Sequence, residues 1–127
     1  VLIALNGQGK TRGTVAILRM EATCNQSIVS MNPKDKSKLI PEFLYYDLKQ
    51  KYKQIRNITG DNQRSGLSIT ILKTIEIPLP PLSIQHQIVK RIEEEQALVN
   101  SNRKLIELFE QKIKDEIGKL WQKKAKV

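Results

Sequence analysis

The sequence predicts an α+β fold: a small mixed α/β domain over residues 1–82, followed by a long coiled-coil helix over residues 83–127. Three observations predict it. All five prolines, all three tyrosines and every glycine but Gly118 fall before residue 83. Short aliphatic runs in that stretch are separated by glycine and proline, the residues that punctuate strands and turns. From residue 83 onward there is no proline, and aliphatic residues recur every seven positions, the spacing of a helix that pairs with another helix.

The elements follow in order. Val1–Leu5 is a short apolar strand, and Asn6-Gly7-Gln8-Gly9 is a turn by its glycines. Thr14–Leu18 is a second strand. Gln26–Met31 alternates and stops before Asn32-Pro33, which makes it a third. Pro41 opens a helix, because proline suits the first helical position; Phe43, Leu44, Asp47, Leu48 and Lys51 follow at helical spacing. Gly60–Gly66 is a polar loop. Leu67–Leu72 is too short to assign to strand or helix. Ile75-Glu76-Ile77 is a brief strand that Pro78 ends.

The last helix starts after Pro80-Pro81-Leu82, with Ser83 as its N-cap and His86 where a full capping box would place Glu or Gln. No breaker occurs before Gly118. Residues 84–117 would extend roughly 50 Å at about 1.5 Å per residue. Ile92, Val99, Ile106, Ile113 and Leu120 form the heptad seam, widened by Ile88, Leu98, Leu105, Phe109 and Ile117 and interrupted by Glu95, Asn102 and Glu116. A domain of about 80 residues is too small to cover such a stripe, so a partner helix is expected. The residues expected at that pairing interface are Ile88, Ile92, Val99, Ile106, Phe109, Ile113 and Leu120.

Composition narrows the chemistry. The 127 residues are 39% hydrophobic and 28% charged, enough for a core. The net charge of +9 suits nucleic acid, an anionic membrane surface or an acidic partner. Residues 1–82 carry 12 Lys and Arg against 6 Asp and Glu; residues 83–127 carry 10 against 7. Cys24 is the only cysteine and His86 the only histidine, which excludes an internal disulfide framework and leaves almost no room for a His-based or cysteine-based metal site. No carboxylate pair or nucleophile–base pair stands out, so a non-catalytic chain without metal or cofactor is expected. No apolar run approaches a membrane span and nothing resembles a signal peptide; a cytoplasmic location is expected. The chain opens on a strand pattern without an initiator Met, as a piece of a longer protein would.

Two polar loops are the candidate binding elements. Gly7-Gln8-Gly9-Lys10-Thr11 invites comparison with a phosphate-binding P-loop, but that loop needs a glycine where Ala4 stands and a helix where Thr14–Ile17 reads as a strand. The same residues form a glycine turn that presents Gln8, Lys10, Thr11 and Arg12. Lys and Arg neutralise phosphate, while Gln and Arg also fit base edges; an ordinary solvated hairpin is an equal reading. Asn62, Gln63, Arg64 and Ser65 sit in the second loop, with side chains shaped for base-edge readout. Lys49–Arg56 places four cations around Tyr52, as a solvated helical face or as a track for a phosphate backbone.

Asn6–Ile17, Cys24–Ile28, Pro41–Leu48 and Gly60–Ser68 resemble the successive parts of a target-recognition domain in type I restriction-modification specificity subunits. Ile75–Val89, with Pro78, Pro80-Pro81-Leu82 and Gln85-His86-Gln87, is similar to that family's junction between recognition domain and spacer helix. The resemblance covers nearly the whole chain; it departs at Ile84, where the family more often has glutamate, and at the front, where the family's domain starts earlier. It implies a non-catalytic subunit that binds double-stranded DNA as one part of a bipartite target. It implies a homodimer or equivalent pairing through antiparallel long helices. It also implies adenine methyltransferase subunits docked on the assembly, and a restriction subunit joining through the complex. The other reading is a coiled-coil interaction scaffold whose basic charge is incidental.

Overall fold

The structure, a computed structural model, describes residues 1–7, 9–58 and 66–124. Three short strands, β1 (Leu2–Ala4), β2 (Val15–Ala16) and β3 (Ile28–Ser30), precede four helices: α1 (Pro41–Gln50), α2 (Tyr52–Asn57), α3 (Ile69–Leu72) and α4 (Leu82–Lys124). The chain divides into two compact units, Val1–Val89 and Lys90–Val127. The class is α+β with a long final helix, as the sequence predicts.

β1 is the central strand of an antiparallel sheet in the order β2-β1-β3. Ile3 pairs with Val15 on one side and with Val29 on the other. Alternation along β1 sends Val1, Ile3 and Leu5 to one face, where they are buried with Leu44 and Leu48 of α1, Ile55 of α2, Leu67, and Leu72 of α3. Ile3, Leu48 and Ile55 are wholly enclosed. Burying each such side chain is worth roughly 1.5–3 kcal/mol, so this cluster is what holds the small sheet to its helices.

Several elements differ from the sequence expectation. The helical pattern that begins at Pro41 breaks at Lys51, which separates α1 from α2. Its ammonium donates to Asp47 at 2.7 Å and to the Glu76 carbonyl at 2.6 Å, tying the end of α1 to a distant segment. Ile75–Ile77 is not a strand. Ile75 N turns back to the Leu72 carbonyl, Pro78 lacks an N–H, and the alternating isoleucines pack against the core without a ladder partner. The ambiguous Leu67–Leu72 stretch contains α3, whose first turn is capped by Ser68 Oγ accepting from Ile71 N at 3.2 Å.

α4 begins one residue earlier than its expected cap, so Ser83 lies inside the first turn rather than ahead of it. Gln85 performs the anchoring. It is wholly enclosed; its amide nitrogen donates to the Lys38 and Pro80 carbonyls at 2.7 and 2.8 Å, and its amide oxygen accepts from Ile40 N at 3.1 Å. Both N–H groups and the oxygen therefore have backbone partners, and only an amide can make this set. The helix also runs through Gly118 to Lys124. One internal glycine costs about 1 kcal/mol relative to alanine, too little to end a helix flanked by good helix formers.

Beyond its first two turns α4 is exposed. Val99, Ile106, Phe109, Ile113 and Leu120 stay open to solvent, with Ile106 at 58%. Lys90–Glu94 and Arg91–Glu95 pairs decorate the helix at i,i+4, a spacing that supports a solvated helical face. Among the described residues no helix is long and apolar enough to cross a membrane.

Candidate nucleic-acid interface

The loop from Leu5 to Thr14 joins β1 to β2, and main-chain bonds close its base. Gly13 N donates to the Ala4 carbonyl at 2.8 Å and Ala4 N to the Thr14 carbonyl at 3.0 Å. The Thr14 amide and hydroxyl both donate to the Thr11 carbonyl, at 2.9 and 2.6 Å. Gly7 and Gly13 have φ of +120° and +81°, the region that side chains disfavour, so these two glycines shape the turn. A side chain at Gly9 would meet only open space.

Lys10 and Thr11 are exposed at the outer part of this turn. Arg12 is not presented there: it is buried, with 8% of its surface open, and its carbonyl accepts from Arg56 Nη1 at 3.0 Å. Gly13 follows it, with a positive φ that glycine accepts freely, and rests on Tyr52, Ile55 and Arg56 of α2. Gln8, Asn62, Gln63, Arg64 and Ser65 lie outside the described residues.

The structure does place the root of the second polar loop. Leu67 N donates to the Leu5 carbonyl at 2.9 Å. Gly66 comes so near Asn6 that a Cβ there would collide with the Asn6 side-chain oxygen. The chain leaving the polar loop thus rejoins the domain beside the first residues of the glycine turn. A third segment meets them. Leu5 N donates to the Ser27 carbonyl at 2.8 Å, and Asn6 Nδ2 to Ser27 Oγ at 3.3 Å. Asn25 Oδ1 accepts from Ser27 N at 3.0 Å, forming a short turn in which Asn25 and Gln26 are exposed. Nothing in the sequence spacing joins residues 25–26 to residues 6 and 66; the sheet order does.

The cationic run Lys49–Arg56 divides into two sets. Lys49 and Lys53 are exposed, and Lys49 lines a cleft of about 340 Å³ with Gly13, Thr14, Val15 and Tyr52. Lys51 and Arg56 are turned to the protein. Lys51 pairs with Asp47, and Arg56 donates to Arg12 and to Tyr52 Oη. Among the described residues no cluster of three or more His, Cys, Asp or Glu gathers as for a metal ion.

The residues expected at a helix interface lie on one continuous helix. Ile88, Val99, Ile106, Phe109, Ile113 and Leu120 are exposed on it, and Ile92 is half-buried. Gln85, which the sequence reading places in the junction without a role of its own, fixes the first turn of that helix.

No solved structure matches the chain. The sequence profile of the type I restriction modification DNA specificity domain matches residues 1–114, nearly the whole chain. The chain therefore belongs to the DNA specificity domain family of type I restriction-modification systems, a family of non-catalytic DNA-recognition modules.

Proposed function

We propose that this chain reads one part of a bipartite double-stranded DNA target and sets the position of its partners on that target. Gln8, Lys10 and Thr11 of the glycine turn face the duplex together with Asn62, Gln63, Arg64 and Ser65 of the second polar loop. Arg12 shapes the turn from within. The observation that carries this reading is the shared root of the two loops, where Leu67 N meets the Leu5 carbonyl and Gly66 abuts Asn6. The second loop rejoins the domain beside the first residues of the glycine turn, as a composite reading surface requires.

The long helix supplies the second half of the proposal. Its exposed seam pairs antiparallel with the same helix of a second copy, and the resulting coiled coil spaces two recognition domains. Adenine methyltransferase subunits dock on this frame, and the restriction subunit joins through the complex, in the cytoplasm where the DNA is. The family assignment supports this arrangement.

The test is binding by the chain assembled with its methyltransferase subunits, against duplexes selected from a randomised pool. Phosphate contacts make log K fall linearly with log salt, in proportion to their number. Lys10→Ala is expected to weaken all duplexes alike and flatten that slope by about one unit. Arg64→Ala is expected to relax the selected consensus at one position, at a cost of about 1–3 kcal/mol if its contact is bidentate. Unchanged affinity and selectivity in both variants would mean that these loops do not face DNA, and a salt-independent parent would favour the scaffold reading.

A further inference from the structure

We infer that Tyr52 and Arg56 of α2 are positioning residues for DNA readout, holding the glycine turn in its binding shape without touching DNA themselves. The inference rests on the proposal that this turn faces the duplex.

The turn's own bonds fix only its C-terminal side, where Gly13 and Thr14 return to Ala4 and Thr11. The carbonyls of Lys10 and Arg12 point elsewhere and are met by α2. Tyr52 Oη donates to the Lys10 carbonyl at 2.7 Å, and Arg56 Nη1 donates to the Arg12 carbonyl at 3.0 Å. Arg56 Nη1 also donates to Tyr52 Oη at 3.2 Å, which commits the hydroxyl proton to Lys10. The guanidinium lies 5.4 Å from the centre of the Tyr52 ring, so each side chain fixes the other. Gly13 completes the fit: a Cβ there would lie 3.3 Å from Arg56 Cγ and 3.5 Å from Ile55 Cγ2, so the turn rests directly on the helix. The platform is rigid because Ile55, between the two, is wholly enclosed in the core.

This brace acts on backbone carbonyls immediately below the exposed Lys10 and Thr11. Base-edge contacts tolerate displacements of only about 0.5 Å, whereas a lysine on a flexible stem reaches a phosphate from many positions. A loosened turn therefore loses discrimination before it loses general affinity. Pre-ordering also removes a cost that would otherwise fall on specific binding.

Tyr52→Phe removes one hydroxyl and keeps the ring, the charge and the packing. Arg56→Lys keeps the charge and loses the forked donor geometry. Each variant, assembled with its methyltransferase subunits, is compared with the parent on two probes: the duplex the parent selects from a randomised pool, and a random-sequence duplex. Tyr52→Phe is expected to weaken binding to the selected duplex about three- to tenfold, the range one lost hydrogen bond spans. Binding to the random duplex and the salt slope stay as in the parent, amide exchange of residues 10–13 accelerates, and Arg56→Lys does the same. If both probes weaken equally, or if the two variants keep the parent's ratio while Lys10→Ala still lowers affinity, the brace does not govern readout and the loop assignment stands without it. If Lys10→Ala and Arg64→Ala leave binding unchanged, the loop assignment fails and the brace falls with it.

Discussion

At the residue scale, single side chains with saturated hydrogen bonding fix the backbone of this domain. Gln85 is the clearest case, because two carbonyls and one N–H from two separate segments, Lys38–Ile40 and Pro80, converge on one amide. Leucine at this position would match its bulk and strand all three backbone groups in a site closed to water. Buried unsatisfied groups cost about 1–3 kcal/mol each, with some relief from relaxation, so Gln85→Leu is expected to lower stability by roughly 2–4 kcal/mol in denaturant unfolding. Gln85→Glu is expected to be as damaging, since a carboxylate cannot donate to two carbonyls. Such roles were not legible in the sequence. A glutamine next to a histidine in a polar stretch carries no periodic signal, and two of its three partners lie 45 and 47 residues away. Arg12 shows the same limit: composition identifies a cation in a glycine turn, while only the fold shows that it is buried.

At the element scale, the sequence was most informative where periodicity is long. The long helix α4 and the helix that starts at Pro41 were both visible, because apolar residues recur along them at helical spacing. Short elements were less visible. Two alternating isoleucines at 75 and 77 look like a strand, yet they only need one face buried, and an irregular segment provides that as well. The exposed seam leads to a sharp expectation. Ile106 lies mid-seam and is 58% exposed in the single chain. In an antiparallel pair this position meets its own copy near the two-fold axis, so aspartate there would bring two like charges together in an apolar contact. Full burial of each seam side chain is worth roughly 1.5–3 kcal/mol, which several residues together can set against the entropy of association. Ile106→Asp is therefore expected to sediment as a monomer at concentrations where the parent is a dimer. A parent that remains monomeric at high concentration would end the self-pairing proposal.

At the scale of the whole molecule, the α+β class with a long final helix was legible because proline and tyrosine, and every glycine but Gly118, end where the heptads begin. The candidate reading surface was legible only in part. Both polar loops could be named from their residue types, but their common root depends on β1 lying between β2 and β3 and on Leu67 returning to Leu5. The turn at Asn25–Gln26 joins that root through β3 and carries no distinguishing pattern of its own.

That root has a consequence for how such a protein can change. The clasp between Leu67 N and the Leu5 carbonyl is made by main chain alone, and its closeness asks only that residue 66 have no side chain. On the other side, Ile58 N still closes onto the Gln54 carbonyl of α2. Ile58 and Leu67 thus flank residues 59–65, and main-chain bonds hold both of these ends. Grafting an unrelated polar heptapeptide there, with Gly66 retained, is expected to leave the melting temperature within a few degrees of the parent, because the bonds at both ends are made by main chain. With this loop facing DNA as proposed above, the selected duplex would change while the scaffold stayed the same, and new specificities would be sampled without re-solving the fold.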